Sequence, residues 1–171
     1  MSKIKFTDKY GPQEVRALSW KQPFASLMLH GKVETRVWPS KYFGWVLICA
    51  SQAPYSGKQV VEISGTRQSL RISGLFDDIK SLPVGQAIAI GKLKVSRSAD
   101  TMFYFPAQTE SQARSNTAVI PYWEKRCFVE MRSGLWLHEY EDVQPIEPFA
   151  WKGQLGFKKL DQETIDKIVL L

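Results

Sequence analysis

The sequence predicts an α+β domain: a small, partly closed β-barrel of five to six strands with short helices at its flanks. Three observations point there. The strongest apolar runs, WVLICA (45–50) and QAIAIGKLKVS (86–96), have strand length, and the second alternates apolar and polar residues at its end. The strands are short and number five or six, with only two or three short helices, a pattern that suggests a partly closed barrel rather than a βαβ parallel sheet. At 171 residues the chain suits one domain, able to bury roughly 70% of its unfolded surface without a metal or a disulfide.

Residues 1–13 are polar and read as a loose leader, with a single domain over 14–171. Val15–Ser19 reads as a short strand. In KQPFASLMLHG, Pro23 suits the first turn of a helix, and Phe24, Leu27 and Met28 recur at helical spacing. Gly31 suits the position just past its end. Val33–Val37 alternates, WPSKYFG turns, and Trp45–Ala50 is a buried strand. Residues 55–73 carry helix-like spacing mixed with Gly and Ser. Leu82–Gly85 is a turn into the strand Gln86–Ser96. Residues 97–134 read as an insertion, irregular as far as 120. Leu135–Val143 is a further strand, Pro145 and Pro148 bracket an extended link, and Leu155–Leu160 is a last strand. Asp161 caps a short C-terminal helix.

The net charge is +6, and its distribution says more than its size. Residues 1–50 carry eight Lys or Arg against three Asp or Glu, whereas the other 121 carry fifteen against fourteen. A positive field concentrated in one segment favours a polyanion or an anionic small ligand. Cys49 and Cys127 stand apart in apolar runs, as expected of buried, reduced thiols in a cytoplasmic protein, and no Cys/His cluster suggests a metal. No apolar stretch approaches membrane-spanning length, so no membrane partner is expected. The sequence holds no P-loop, dinucleotide fingerprint or serine elbow, and no cofactor is expected.

The densest chemistry lies in His30–Trp38, HGKVETRVW. On a strand, residues two apart share a face, so Lys32, Glu34 and Arg36 would point one way and Val33, Thr35 and Val37 the other. Two cations flanking one carboxylate hold it ionised and leave a net positive seat for an anion. The competing reading is an alternating charge ladder on an edge strand, worth little energetically.

Three stretches together resemble the ASCH family, relatives of the PUA domains that bind RNA. LSWKQPFASLMLHGKVETRVWPSKYFGWVLICAS (18–51) is similar to the family's opening, with its Gln-Pro-aromatic helix start, basic segment, Trp-Pro turn and apolar strand ending in Ala-Ser. LPVGQAIAIGKLKV (82–95) resembles its central strand, and YEDVQPIEPFAWKGQLGFKKL (140–160) its closing strand pair. The resemblance implies a PUA-like barrel that binds RNA, a nucleotide or a modified nucleoside in a basic cleft. It also offers two alternatives: a small hydrolase (an N4-acetylcytidine amidohydrolase or a ribonuclease), or a non-catalytic interaction domain in transcription regulation. For the amidohydrolase it implies Thr35 as nucleophile, Lys32 as the base that takes its proton, and a glutamate to assist the leaving amine. Glu34 is nearest in sequence, and Glu130 or Glu139 could supply it from later segments. The family's basic segment runs Gly-x-Lys-Thr-x-Glu-x-Arg, whereas Gly31–Arg36 is one residue shorter between its lysine and glutamate. Gln22, able to read a pyrimidine edge, and Tyr42, able to stack a base, are ligand-binding candidates with Arg36, Trp38 and Lys41.

Overall fold

A computed structural model describes residues 2–3, 6–8, 11–53, 71–103 and 122–171. Its strands are β1 (Ser2–Lys3), β2 (Thr7–Asp8), β3 (Gly11–Pro12), β4 (Val15–Trp20), β5 (Glu34–Arg36), β6 (Gly44–Ala50), β7 (Gln86–Ser98), β8 (Trp136–Ala150), β9 (Lys158–Lys159) and β10 (Val169–Leu170). Short helices α1 (Phe24–Leu27), α2 (Asp100–Phe103) and α3 (Gln162–Asp166) flank them. The architecture is α+β, as the sequence predicts.

Seven strands line up as β1-β10-β8-β7-β6-β4-β9, with β5 joined to β8 and β2–β3 forming a separate ribbon. Pairing is antiparallel except between β4 and β6, which run parallel in register from Val15↔Trp45 to Trp20↔Ala50. Register irregularities along the β7–β8 ladder bend the sheet into a half-barrel. Among the described residues β1 and β9 are the two ends of the strand order and do not pair with each other.

The apolar run of β6 follows from its place. One core cluster holds Val15, Ala17, Leu47, Cys49, Ile90 and Ile146 on one face. Another holds Leu18, Trp20, Val46, Ile48, Ala50 and Leu93 on the opposite face. A central strand covered on both faces has no polar side to present, so GWVLICA lacks alternation. Cys49 and Cys127 are buried free thiols, and burial pushes the Cys127 thiol up to about 12.

Several sequence boundaries differ from the expectation. Strand β8 does not stop at Val143 but continues through Pro145 and Pro148 to Ala150. Pro145 pairs with Ala89 beside a register irregularity, and Pro148 falls inside it, where no ladder N–H is required. Of Leu155–Leu160 only Lys158–Lys159 is strand, and Leu155 is fully exposed. The C-terminal helix ends at Asp166, and Val169–Leu170 instead adds a strand between β8 and β1. The leader is tied down at β1 and at Phe6, whose ring packs edge-on against Trp45 at 5.7 Å. The helix expected over 55–73 lies mostly outside the described residues, of which 71–73 are helical. In the insertion, Arg97 and Ser98 belong to β7, α2 follows, and 122–127 are helical, with 104–121 outside the described residues.

The path from β4 to β6 positions the site. Helix α1 continues into a 3₁₀ turn, Met28–His30, that ends on Gly31 at φ 76°, a conformation glycine adopts without a steric penalty. Val33 N–H then donates to the Arg126 carbonyl (2.9 Å), and β5 docks on β8 with Glu34 opposite His138.

Candidate functional site

Lys32, Glu34 and Arg36 converge on one side of the β5 segment. Lys32 Nζ lies 2.7 Å from Glu34 Oε2, and Arg36 Nε lies 2.9 Å from Glu34 Oε1. Lys32 and Glu34 are buried, whereas the Arg36 side chain keeps 24% of its surface exposed. This arrangement is not a solvated charge ladder. Lys32 Nζ also donates to its neighbour's carbonyl, Val33 O, at 2.9 Å, and Arg36 Nη2 donates to Ser19 O at 3.2 Å. Burial alone would raise the Glu34 carboxyl, but attraction to Lys32 and Arg36 outweighs it and holds the group below its ordinary 4.5. The trio therefore carries two cations and one anion.

Opposite Glu34, His138 is completely buried on β8. Its Nε2 is 3.2 Å from the Trp38 carbonyl, which can only accept, so Nε2 carries the proton and Nδ1 has no partner. Burial pushes the imidazole below 6.5 and keeps it neutral. Tyr140, two residues on along the same face, has an unpartnered buried hydroxyl raised by burial and by the nearby Glu34 charge.

Two cavities flank β5. The larger, about 650 Å³, opens at the carboxyl ends of the parallel pair β4 and β6. Its walls are Trp20 and Phe24, Glu34 and Arg36, the serines Ser19 and Ser51, and the segment Lys152–Leu155, with Lys21, Gln52 and Ala53 at the side. Ser19 Oγ and Ser51 Oγ on those walls are buried hydroxyls without a partner among the described residues, whereas the Trp20 indole N–H is directed at the Glu34 carboxylate. An unpaired buried polar atom costs roughly 1–3 kcal/mol, so two on one wall mark a surface suited to meet something polar. Gly153 keeps the space open: a Cβ there would sit 3.4 Å from Ser19 Oγ. The smaller cavity, about 520 Å³, lies on the Thr35 side and is lined by Thr35, Arg36, Val37, Trp38, Val129, Glu130, Arg132 and Leu135.

The remaining expected site residues divide. Thr35 faces the smaller cavity with Glu130, away from the Lys32–Glu34 pair. Trp38 lines that cavity too, edge-on to His138 at 5.2 Å. Gln22 is buried, its amide donating to Pro83 O (2.7 Å) while its oxygen accepts from Ser26 N–H (3.1 Å), so it holds the start of α1. Tyr42 donates its hydroxyl to the Glu14 carbonyl (2.7 Å) and its ring lies under Arg16 at 4.4 Å, outside both cavities. Lys41 is exposed and lines neither. Glu139 pairs with Arg97 at 2.6 Å. Sequence reasoning missed Trp20, Ser19, Ser51 and Lys152. The usable signal was the serine near the end of each apolar strand, LSW and CAS. No group of three or more potential ligands that could hold a metal occurs among the described residues, and no helix there is long and apolar enough to cross a membrane.

No family model matches the chain, and no curated protein matches it. Solved structures do. The chain is similar to ASCH from Zymomonas mobilis, at 16% identity and a TM-score of 0.48, over 90% of this chain and 92% of that one. A tyrosine-to-phenylalanine variant of the Zymomonas protein matches over 91% and 96% with the same identity and TM-score. A serine-to-alanine variant matches over 90% and 92%, with a TM-score of 0.47.

Proposed function

We propose that this chain is an ASCH-type, PUA-like domain that binds a nucleotide or single-stranded RNA in the larger cavity, without chemistry of its own. The observation that carries the reading is the composition of that cavity's wall. It joins an arginine held by Glu34, two aromatic rings, two unpartnered serine hydroxyls and two lysines, Lys21 and Lys152. Arginine held by a buried carboxylate is pre-organised for phosphate, and aromatic walls suit a base. The three resembling sequence stretches point to the same ligand class.

Among the described residues, the groups named for the hydrolase alternative do not converge on one cavity. Lys32 Nζ is committed to Glu34 and to Val33 O. Thr35, the proposed nucleophile, lines the other cavity.

Titration of a single-stranded RNA octamer, followed by tryptophan fluorescence at several salt concentrations, tests the binding reading. Affinity is expected to fall with salt, with a log–log slope of about −0.7 for each phosphate neutralised. Arg36→Ala and Lys152→Ala should each weaken binding and flatten the slope. Salt-independent binding, or binding untouched by both substitutions, would refute the assignment.

A further inference from the structure

We infer that the two cavities are successive subsites for one extended ligand and that Arg36 seats the phosphodiester joining them; this rests on the nucleotide reading above. Arg36 lines both cavities. Its guanidinium carbon is 5.6 Å from the Trp20 ring centre, on the larger cavity, and 5.9 Å from the Trp38 ring centre, on the smaller. One cation thus stands between two aromatic walls.

The guanidinium has five N–H donors. Its Nε faces Glu34 and one Nη2 hydrogen goes to Ser19 O, leaving three donors without a partner among the described residues. Those donors suit the two non-bridging oxygens of a phosphate. A diester suits the place, because it carries a nucleoside on either side and Arg36 has a cavity on either side. The nucleoside on one side would enter the larger cavity. Its neighbour would enter the smaller, where the Thr35 hydroxyl and Arg132 offer polar contacts beside Trp38. Glu34 is the positioning residue that fixes the arginine between them.

Isothermal titration with uridine 5′-monophosphate, the dinucleotide UpU and their adenine counterparts separates the possibilities. The dinucleotides are expected to bind about tenfold more tightly or better. Arg132→Ala, at an exposed position, and Thr35→Val should each remove that advantage. Equal affinity for mono- and dinucleotide, or an advantage that survives both substitutions, overturns the two-subsite inference and leaves the nucleotide reading standing. No binding of either class removes both.

Discussion

Glu34→Gln isolates what the buried trio contributes to the fold. The substitution keeps size and hydrogen-bonding capacity but deletes the charge that compensates Lys32, which is 4% exposed and cannot reach water. Arg36, with a quarter of its side chain exposed, can be partly rehydrated. Breaking a buried pair by removing one partner costs about 3–5 kcal/mol. In a domain of this size that corresponds to a fall in Tm of roughly 6–20 °C. Urea unfolding followed by circular dichroism and tryptophan fluorescence reads the loss directly, with an unchanged m-value showing that the same surface is exposed. The pH dependence supplies a second check. Because the folded carboxyl sits below its ordinary 4.5, its contribution is complete above that pH and disappears as the pH falls further. The gap between Glu34→Gln and the unaltered protein should therefore narrow below pH 4.5. A loss under about 1 kcal/mol at neutral pH, the range of solvated pairs, would refute the reasoning. So would a gap that persists unchanged into acid.

His138 should impose its own acid limit: with its folded pKa depressed by burial, stability is complete above 6.5 and falls as the imidazole is driven to protonate below it. Chemical unfolding of His138→Gln should lack that slope, and an identical slope would assign it to another group. Gly153→Ala adds a methyl at ordinary contact distance from Ser19 and Ser51, so Tm should hold while RNA affinity falls; unchanged affinity would place the ligand elsewhere. Gly91→Ala should instead destabilise by about 1–3 kcal/mol by overpacking, because its Cβ would meet Val143 Cγ2 at 2.8 Å. A thermal melt matching the parent would mean that Val143 can yield.

What the sequence made legible was local. GWVLICA is long, apolar and bounded by turn residues, so its burial is written in one run. The period-two spacing of Lys32, Glu34 and Arg36 likewise placed three charges on one side, since a five-residue span leaves few other arrangements. The rest depends on contacts between distant positions. Nothing near His138 indicates that it faces Glu34, a pairing made across about a hundred residues by the β5–β8 ladder. Val169–Leu170 looks like the end of a helix because its strand character comes from a free edge of β8 that only the folded sheet provides. Gln22 and Tyr42 are ligand candidates by residue type alone. Their polar groups bond to Pro83, Ser26 and Glu14, partners no local pattern could disclose. Thr35 was separated from Lys32 by the same alternation that grouped the charges.

Strand β5 spans three residues and, among the described residues, pairs as a strand only with β8. The walls of both cavities meet on it, while the two main apolar clusters are built from other strands. Detaching β5 would dissolve both cavities in one event and leave those clusters intact. The β5 amides bonded to β8 therefore belong to an opening unit smaller than the domain, exchanging with solvent deuterium before the amides of β6 and β7. A ligand held against β5 closes that unit by mass action, by about 2.7 kcal/mol at a hundredfold excess over Kd. Occupancy becomes readable as slowed exchange at the β5 amides that bond to β8.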